Sequence, residues 1–210
     1  MGGNDRQQAL AGADWHFAED AVSIEIEADP RMNQYGGESH TLLLGIYQMA
    51  EADPFYKSIA DPAVLGQQLG GADGADGTED FVQFVRYVVK PGGHSILLLN
   101  RAQKARFIGI VAGYYKLDAK STARLFEIPL QVQSKGVIGT TYSAAPTALA
   151  LRLVLGADGI VNAQVCKCSP SDAQKRTTVP LEEGGKEIKL DADRLDDARQ
   201  RNDSLQKMES

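Results

Sequence analysis

Val22-Ser23-Ile24-Glu25-Ile26-Glu27-Ala28 alternates apolar and polar residues with period two, and Leu149 to Cys168 (LALRLVLGADGIVNAQVCKC) repeats the pattern around a turn. Side chains on a strand point to opposite faces in turn, so Val22, Ile24, Ile26 and Ala28 share one face and bury it. In the second stretch Leu149, Leu151, Leu153 and Leu155 make such a face. Gly156-Ala157-Asp158-Gly159 then turns the chain, and Ile160 to Cys168 returns as a hairpin. Half-buried strands of this kind need a second layer over them. The pattern therefore predicts an all-β fold of two facing sheets.

Working outward, Trp15 and Phe17 stand just before the first strand and cap one end of its core. Asp29-Pro30 stops that strand, because proline cannot continue a ladder. Arg31 to Ser39, with Gly36-Gly37, reads as a loop. Thr41 to Met49 (TLLLGIYQM) is a strand apolar on both faces, hence central or covered on its outer side. Asp53-Pro54 and Asp61-Pro62 each offer an N-cap acid followed by Pro. Phe55 and Ile59, then Leu65 and Leu69, recur four apart, so a helical insertion over about 53–70 packs its apolar side on the sheet. Phe81 to Lys90 is a strand, Pro91-Gly92-Gly93 a turn, and His94 to Leu99 its antiparallel mate. In Arg106 to Tyr115, Gly109 and Gly113 share a face that something approaches closely. Ala123 to Leu130 is a further strand, and 131–148 a long connection around Gly136, Gly139 and Pro146.

About eight strands result. The fold class is a two-sheet antiparallel sandwich over 15–168, with a short helical insertion. Residues 1–14 read as a flexible N-terminal segment. The tail, 169–210, is charged at 18 of 42 positions and holds no aromatic residue, so it cannot order itself alone. It reads either as a solvated tail or as a helix from about Asp193 that docks through Leu195, Ala198 and Leu205.

Composition narrows the function. The chain has 210 residues, 43% hydrophobic and 24% charged, enough for one domain with a real core. Lys+Arg is 22 and Asp+Glu 28, a net charge of −6, which argues against nucleic acid as a partner. No apolar run approaches the ~20 residues of a membrane-spanning helix. Two cysteines do not make a disulfide framework.

Motifs for chemistry are few. His16, His40 and His94 share no metal-like spacing. No G-x-S-x-G elbow, phosphate loop or H-E-x-x-H helix occurs. Asp73, Asp76, Glu79 and Asp80 sit close together, but not in the spacing of a calcium loop, and read as a surface loop. Cys166 and Cys168 point to one side of a strand ~6–7 Å apart, too far for an unstrained mutual bond. No catalytic, cofactor or metal residue is assigned.

The stretch WHFAEDAVSIEIEADPRMNQYGGESHTLLLGIYQM resembles the opening of the type VI secretion outer-membrane lipoproteins, the TssJ or SciN family. The resemblance rests on a strand ending in Ala28-Asp29, the pair Met32-Asn33, a polar loop, and a strand ending in Tyr47-Gln48-Met49. The helical insertion, VVKPGGHSILLL and RFIGIVAGYYKL are similar too. The similarity covers about Trp15 to Leu130, and the Leu149 to Val165 hairpin fits the closing strands.

The resemblance implies a transthyretin-like sandwich at the periplasmic face of the outer membrane, held by an acylated cysteine. That cysteine and its leader are absent from residues 1–14 and are expected just upstream. It implies as partner the C-terminal periplasmic domain of the IcmF-like inner-membrane subunit, TssM, contacted through the loop between the first two strands. Here that loop carries Arg31, Met32, Asn33, Gln34 and Tyr35, followed by Gly36-Gly37. Arg31, Met32 and Tyr35 are of the types that anchor interfaces, while Asn33 either touches the partner or satisfies local backbone groups. The alternative is a sandwich that binds a small ligand such as a glycan, stacked on Tyr87, Tyr114, Tyr115 or Tyr142.

Overall fold

The computed structural model describes residues 5–71, 80–135, 141–166, 181–183 and 185–209. In chain order the elements are α1 (Arg6–Ala11), β1 (Ala18–Ala28), β2 (Gln34–Tyr35), β3 (Glu38–Ser39), β4 (Leu42–Met49), α2 (Asp53–Ala60), α3 (Pro62–Gly70), β5 (Gln83–Val89), β6 (His94–Arg101) and β7 (Phe107–Ala112). They continue with α4 (Ala119–Thr122), β8 (Ala123–Glu127), β9 (Leu130–Lys135), β10 (Thr141–Pro146), β11 (Leu149–Leu155), β12 (Ile160–Val165), β13 (Leu181–Glu183), β14 (Glu187–Ile188) and α5 (Ala192–Glu209).

Two sheets face each other. One has the order β12-β11-β1-β6, the other β14-β8-β7-β4-β5. The strips Val22–Ala28 and Leu149–Leu155 lie at the centre of the first. Val22, Ile24 and Ile26 are fully buried, and Leu149, Leu151, Leu153 and Leu155 lie beside them in register. Leu44, Ile46, Ile108 and Ile110 close the same core from the second sheet. β1 and β11 run parallel, whereas the other ladders are antiparallel. β11 returns to β1 only after the chain has built the second sheet, and so long a crossover leaves the direction free, as a tight turn would not.

β4 is apolar on both faces because both are covered. Leu44 and Ile46 face the sandwich interior, while Tyr47 and Met49 face a second core under α2 and α3 with Phe55, Ile59, Leu65 and Leu69. The glycines are the floor of that contact. A Cβ on Gly109 would lie 2.4 Å from the Phe55 ring, one on Gly45 2.7 Å from Leu69, and one on Gly113 2.9 Å from the Leu43 carbonyl. Asp61 caps α3 as expected, accepting from the amides of Ala63 and Val64. Asp53 does not cap α2. It lies inside the first turn, with Ala52 as N-cap, and pairs with Arg194.

Two expectations need correction. β5 and β6 are not a hairpin. They are edge strands of different sheets, β6 pairing with β1 and β5 with β4. The turn at Pro91-Gly92-Gly93 carries the chain from sheet to sheet, and Gly93 accepts from the Ala28 amide at 2.9 Å. A strand-turn-strand signal is the same for a hairpin and for an arch. The stretch 131–148 is not a plain connection, because β9 and β10 pair there, with α1 lying against them. The two main sheets hold four and five strands, in line with the about eight that the pattern predicts.

At the chain ends, Ala9 of α1 is buried and α5 lies on α2. Leu195 and Ala198 are buried, and Arg194 stands 4.1 Å over the Tyr56 ring. Arg199 Nε donates to the Ala60 carbonyl and Asn202 Nδ2 to that of Lys57. The side chain of Leu205 lies outside the described residues, as do Asp73, Asp76, Glu79, Gly136, Gly139 and Cys168. Trp15 packs on the main core, but Phe17 is exposed. No helix among the described residues is long and apolar enough to cross a membrane.

Candidate functional site

The loop after β1 is built, not slack. Asp29 accepts from the Arg31 amide at 2.7 Å, which turns the chain at Pro30. That bond first, then the Arg31 side chain, holds the Asp29 carboxyl below its ordinary range. Met32 follows and is fully buried in the main core. Gln34-Tyr35 and Glu38-Ser39 form a small two-stranded hairpin. Gly36 and Gly37 make its turn with φ of 64° and 87°, a conformation that side chains with a Cβ resist.

Asn33 joins this loop to two others. Its φ of 53° is left-handed, which Asn tolerates better than most residues. Its amide donates to the Ala157 carbonyl at 2.8 Å, its Nδ2 to the Thr41 carbonyl at 3.1 Å, and its Oδ1 accepts from the Tyr115 amide at 2.8 Å. The side chain is thus committed to backbone groups. It fixes the segment after β7 and, through the main chain, the β11–β12 turn beside the loop.

Tyr114 and Tyr115 point opposite ways, as neighbours in extended chain do. The Tyr114 hydroxyl is buried 2.9 Å from the carbonyls of both Gly156 and Gly159, so it donates to this pair. Burial first, then the charges of Asp158 and Asp29, raise its pKa. Tyr115 points out and stacks on Tyr35, with ring centroids 4.0 Å apart and planes at 27°. The two rings remain 55% (Tyr35) and 68% (Tyr115) exposed. Beside them opens a groove of about 670 Å³, with Gln34, Lys116, Asp118, Ser121 and Asp158 on its walls.

The five loop residues therefore divide. Arg31, Gln34 and Tyr35 are exposed, while Met32 and Asn33 are buried. Met32 is no surface anchor, because an apolar side chain next to an open sandwich end is drawn into the core. The sequence alone does not assign Tyr115 and the groove to this surface. Their one trace there is the aromatic pair Tyr114-Tyr115 after β7, which the small-ligand alternative uses as stacking groups.

The tyrosines of the small-ligand reading do not converge. Tyr87 packs half-buried on the main core, Tyr142 lies on β10, and only Tyr114 and Tyr115 reach the groove. The histidines stand apart on the surface. His40 Nε2 is 3.1 Å from the Tyr35 carbonyl, His94 Nε2 3.0 Å from Glu25, and His16 Nδ1 3.8 Å from Asp14. Among the described residues no three His, Cys, Asp or Glu side chains gather as metal ligands. A second hollow, of about 290 Å³, is bordered by Arg124. Its guanidinium is committed to the carbonyls of Lys120, Ala123 and Ile160 and to Glu187.

Comparison with known proteins gives a family. The family described as type VI secretion lipoproteins (T6SS-SciN; VasD, EvfM, TssJ) matches residues 20–145. No curated protein matches. Among solved structures, the T6SS lipoprotein TssJ1 of Pseudomonas aeruginosa is 22% identical, covering 70% of this chain and 97% of its own, with a TM-score of 0.45. Lip of Serratia marcescens, described as a membrane-bound component of the type VI secretion system, is 18% identical over 70% and 98%, with a TM-score of 0.48. A chain of the structure described as the T6SS protein TssM C-terminal domain from EAEC is 15% identical over 70% and 98%, with a TM-score of 0.46.

Proposed function

The chain belongs to the type VI secretion lipoprotein family of TssJ and SciN, and on that premise we propose that it is a non-enzymatic scaffold of the secretion system's membrane complex. In this reading it sits at the periplasmic face of the outer membrane, held by an N-terminal lipid. Through the loop between β1 and β4 it binds the C-terminal periplasmic domain of the IcmF-like subunit, TssM. The exposed Tyr35–Tyr115 stack carries the proposal. Two large aromatic rings are held in water by a rigid base, and Arg31 and Gln34 of the same loop are exposed as well. This is the composition of an interface anchor.

The geometry suits a tether. The N-terminal segment enters one end of β1 and the loop leaves the other. Eleven residues of strand separate the two ends by ~35 Å, so an anchored domain would present its loop away from the membrane.

Calorimetric titration with the partner's periplasmic domain tests the contact. Tyr35→Ala should lower affinity about 5–30-fold, the loss of ~1–2 kcal/mol expected at a hot spot. The melting temperature should stay unchanged, because an exposed side chain contributes little to the fold. Unchanged affinity for the Arg31, Gln34, Tyr35 and Tyr115 alanine variants would place the contact elsewhere on the molecule.

A further inference from the structure

We propose that the groove beside the tyrosine stack receives an arginine side chain of the partner protein, seated between the Tyr115 ring and the Asp158 carboxylate. The inference rests on the loop-contact reading above and names the chemistry the partner brings to it.

The walls carry two carboxylates and one ammonium, those of Asp118, Asp158 and Lys116. Asp118 is already committed, its Oδ2 accepting from the Ser121 amide at 3.2 Å and the Ser121 hydroxyl at 3.0 Å. Asp29, which also borders Tyr114, is committed to Arg31. Asp158 stands exposed at the tip of the β11–β12 turn. Among the described residues its side chain makes no hydrogen bond or ion pair. One uncommitted anion and one exposed aromatic ring therefore border the same groove.

A guanidinium satisfies both at once. It is planar, stacks on a tyrosine face, and presents paired N–H donors that match a carboxylate. A lysine would offer a point charge with no plane to stack and no paired donors for the carboxylate. An acidic side chain would meet two carboxylates. An apolar one would leave Asp158 desolvated without a partner.

Two experiments on the full chain test this. In the first, the partner's periplasmic domain is titrated into the wild type and into Asp158→Asn, Asp158→Lys and Tyr35→Ala variants at several salt concentrations. Asp158→Asn should weaken binding roughly tenfold, as loss of a charge-assisted hydrogen bond does, and should flatten the salt dependence. Asp158→Lys should weaken it further. Affinity unchanged in both Asp158 variants but lowered in Tyr35→Ala overturns the arginine and leaves the loop contact standing. Affinity unchanged in all three overturns the loop contact as well.

The second experiment needs no partner. N-acetyl-arginine amide at millimolar concentration should shift the amide resonances of Gln34, Tyr115 and Asp158, whereas the neutral isostere N-acetyl-citrulline amide should not. Equal shifts from both compounds, or none from either, overturn the proposal. They would do so even if the partner binds through the tyrosines.

Discussion

Asn33 shows how one side chain can shape a surface without touching anything beyond the molecule. Its amide group bridges the Thr41 carbonyl and the Tyr115 amide, and its left-handed φ lets the loop double back. Replacing it with alanine removes two hydrogen bonds and leaves a strained residue. Stability should fall by about 2–3 kcal/mol, read as a shift of the urea midpoint. Binding of the partner domain should weaken in the same variant, because Tyr115 loses the bond that aims its ring. Asn33→Gly keeps the backbone freedom and should recover part of the stability but not the affinity. Equal recovery of both would mean that the φ alone matters. Met32 beside it behaves oppositely, since its burial makes any alanine variant there a test of the core rather than of the interface.

At the scale of elements, the helical insertion and the C-terminal helix depend on small residues and thin apolar stripes. Gly109 lets the Phe55 ring of α2 approach β7. Gly109→Ala should cost about 1–3 kcal/mol, because the ring would have to move out of a packed site. Circular dichroism melts would measure the cost, and a neutral result would mean that α2 shifts freely on the sheet. α5 rests on α2 through Leu195 and Ala198, with Arg194 over Tyr56. Leu195→Ala should destabilise by ~2 kcal/mol or more. Hydrogen exchange should show α5 and α2 losing protection while β1, β4 and β7 keep theirs. Loss of protection across the whole sandwich would show that the tail and body form one cooperative unit.

For the whole molecule, two buried phenols link stability to alkaline pH. Burial raises the Tyr47 pKa, opposed weakly by the charge of Arg86. Tyr114 is raised by burial first, then by Asp158 and Asp29. Because both folded values lie above the ordinary ~10, the unfolded chain loses these protons first. Their contribution is therefore complete below pH ~10 and is lost as pH rises through the folded values. The urea midpoint should fall steadily from about pH 10 upward, less steeply in Tyr114→Phe. A flat profile up to pH 12 would contradict the burial of these hydroxyls. Local patterning suffices for the faces of β1 and β11, the two-sided burial of β4, the close approach at Gly109 and Gly113, and the loop that carries Tyr35. Each of these is periodicity or punctuation within a few residues, where one local rule applies. Packing in three dimensions makes β6 pair with β1 rather than β5, lays β11 parallel to β1, and turns Met32 inward. It also brings Tyr115 and Asp158, 82 and 125 residues beyond Asn33 in the chain, to one groove. Those outcomes depend on which strand edge or core cavity meets a segment in space, and local patterning carries no record of such long-range competition.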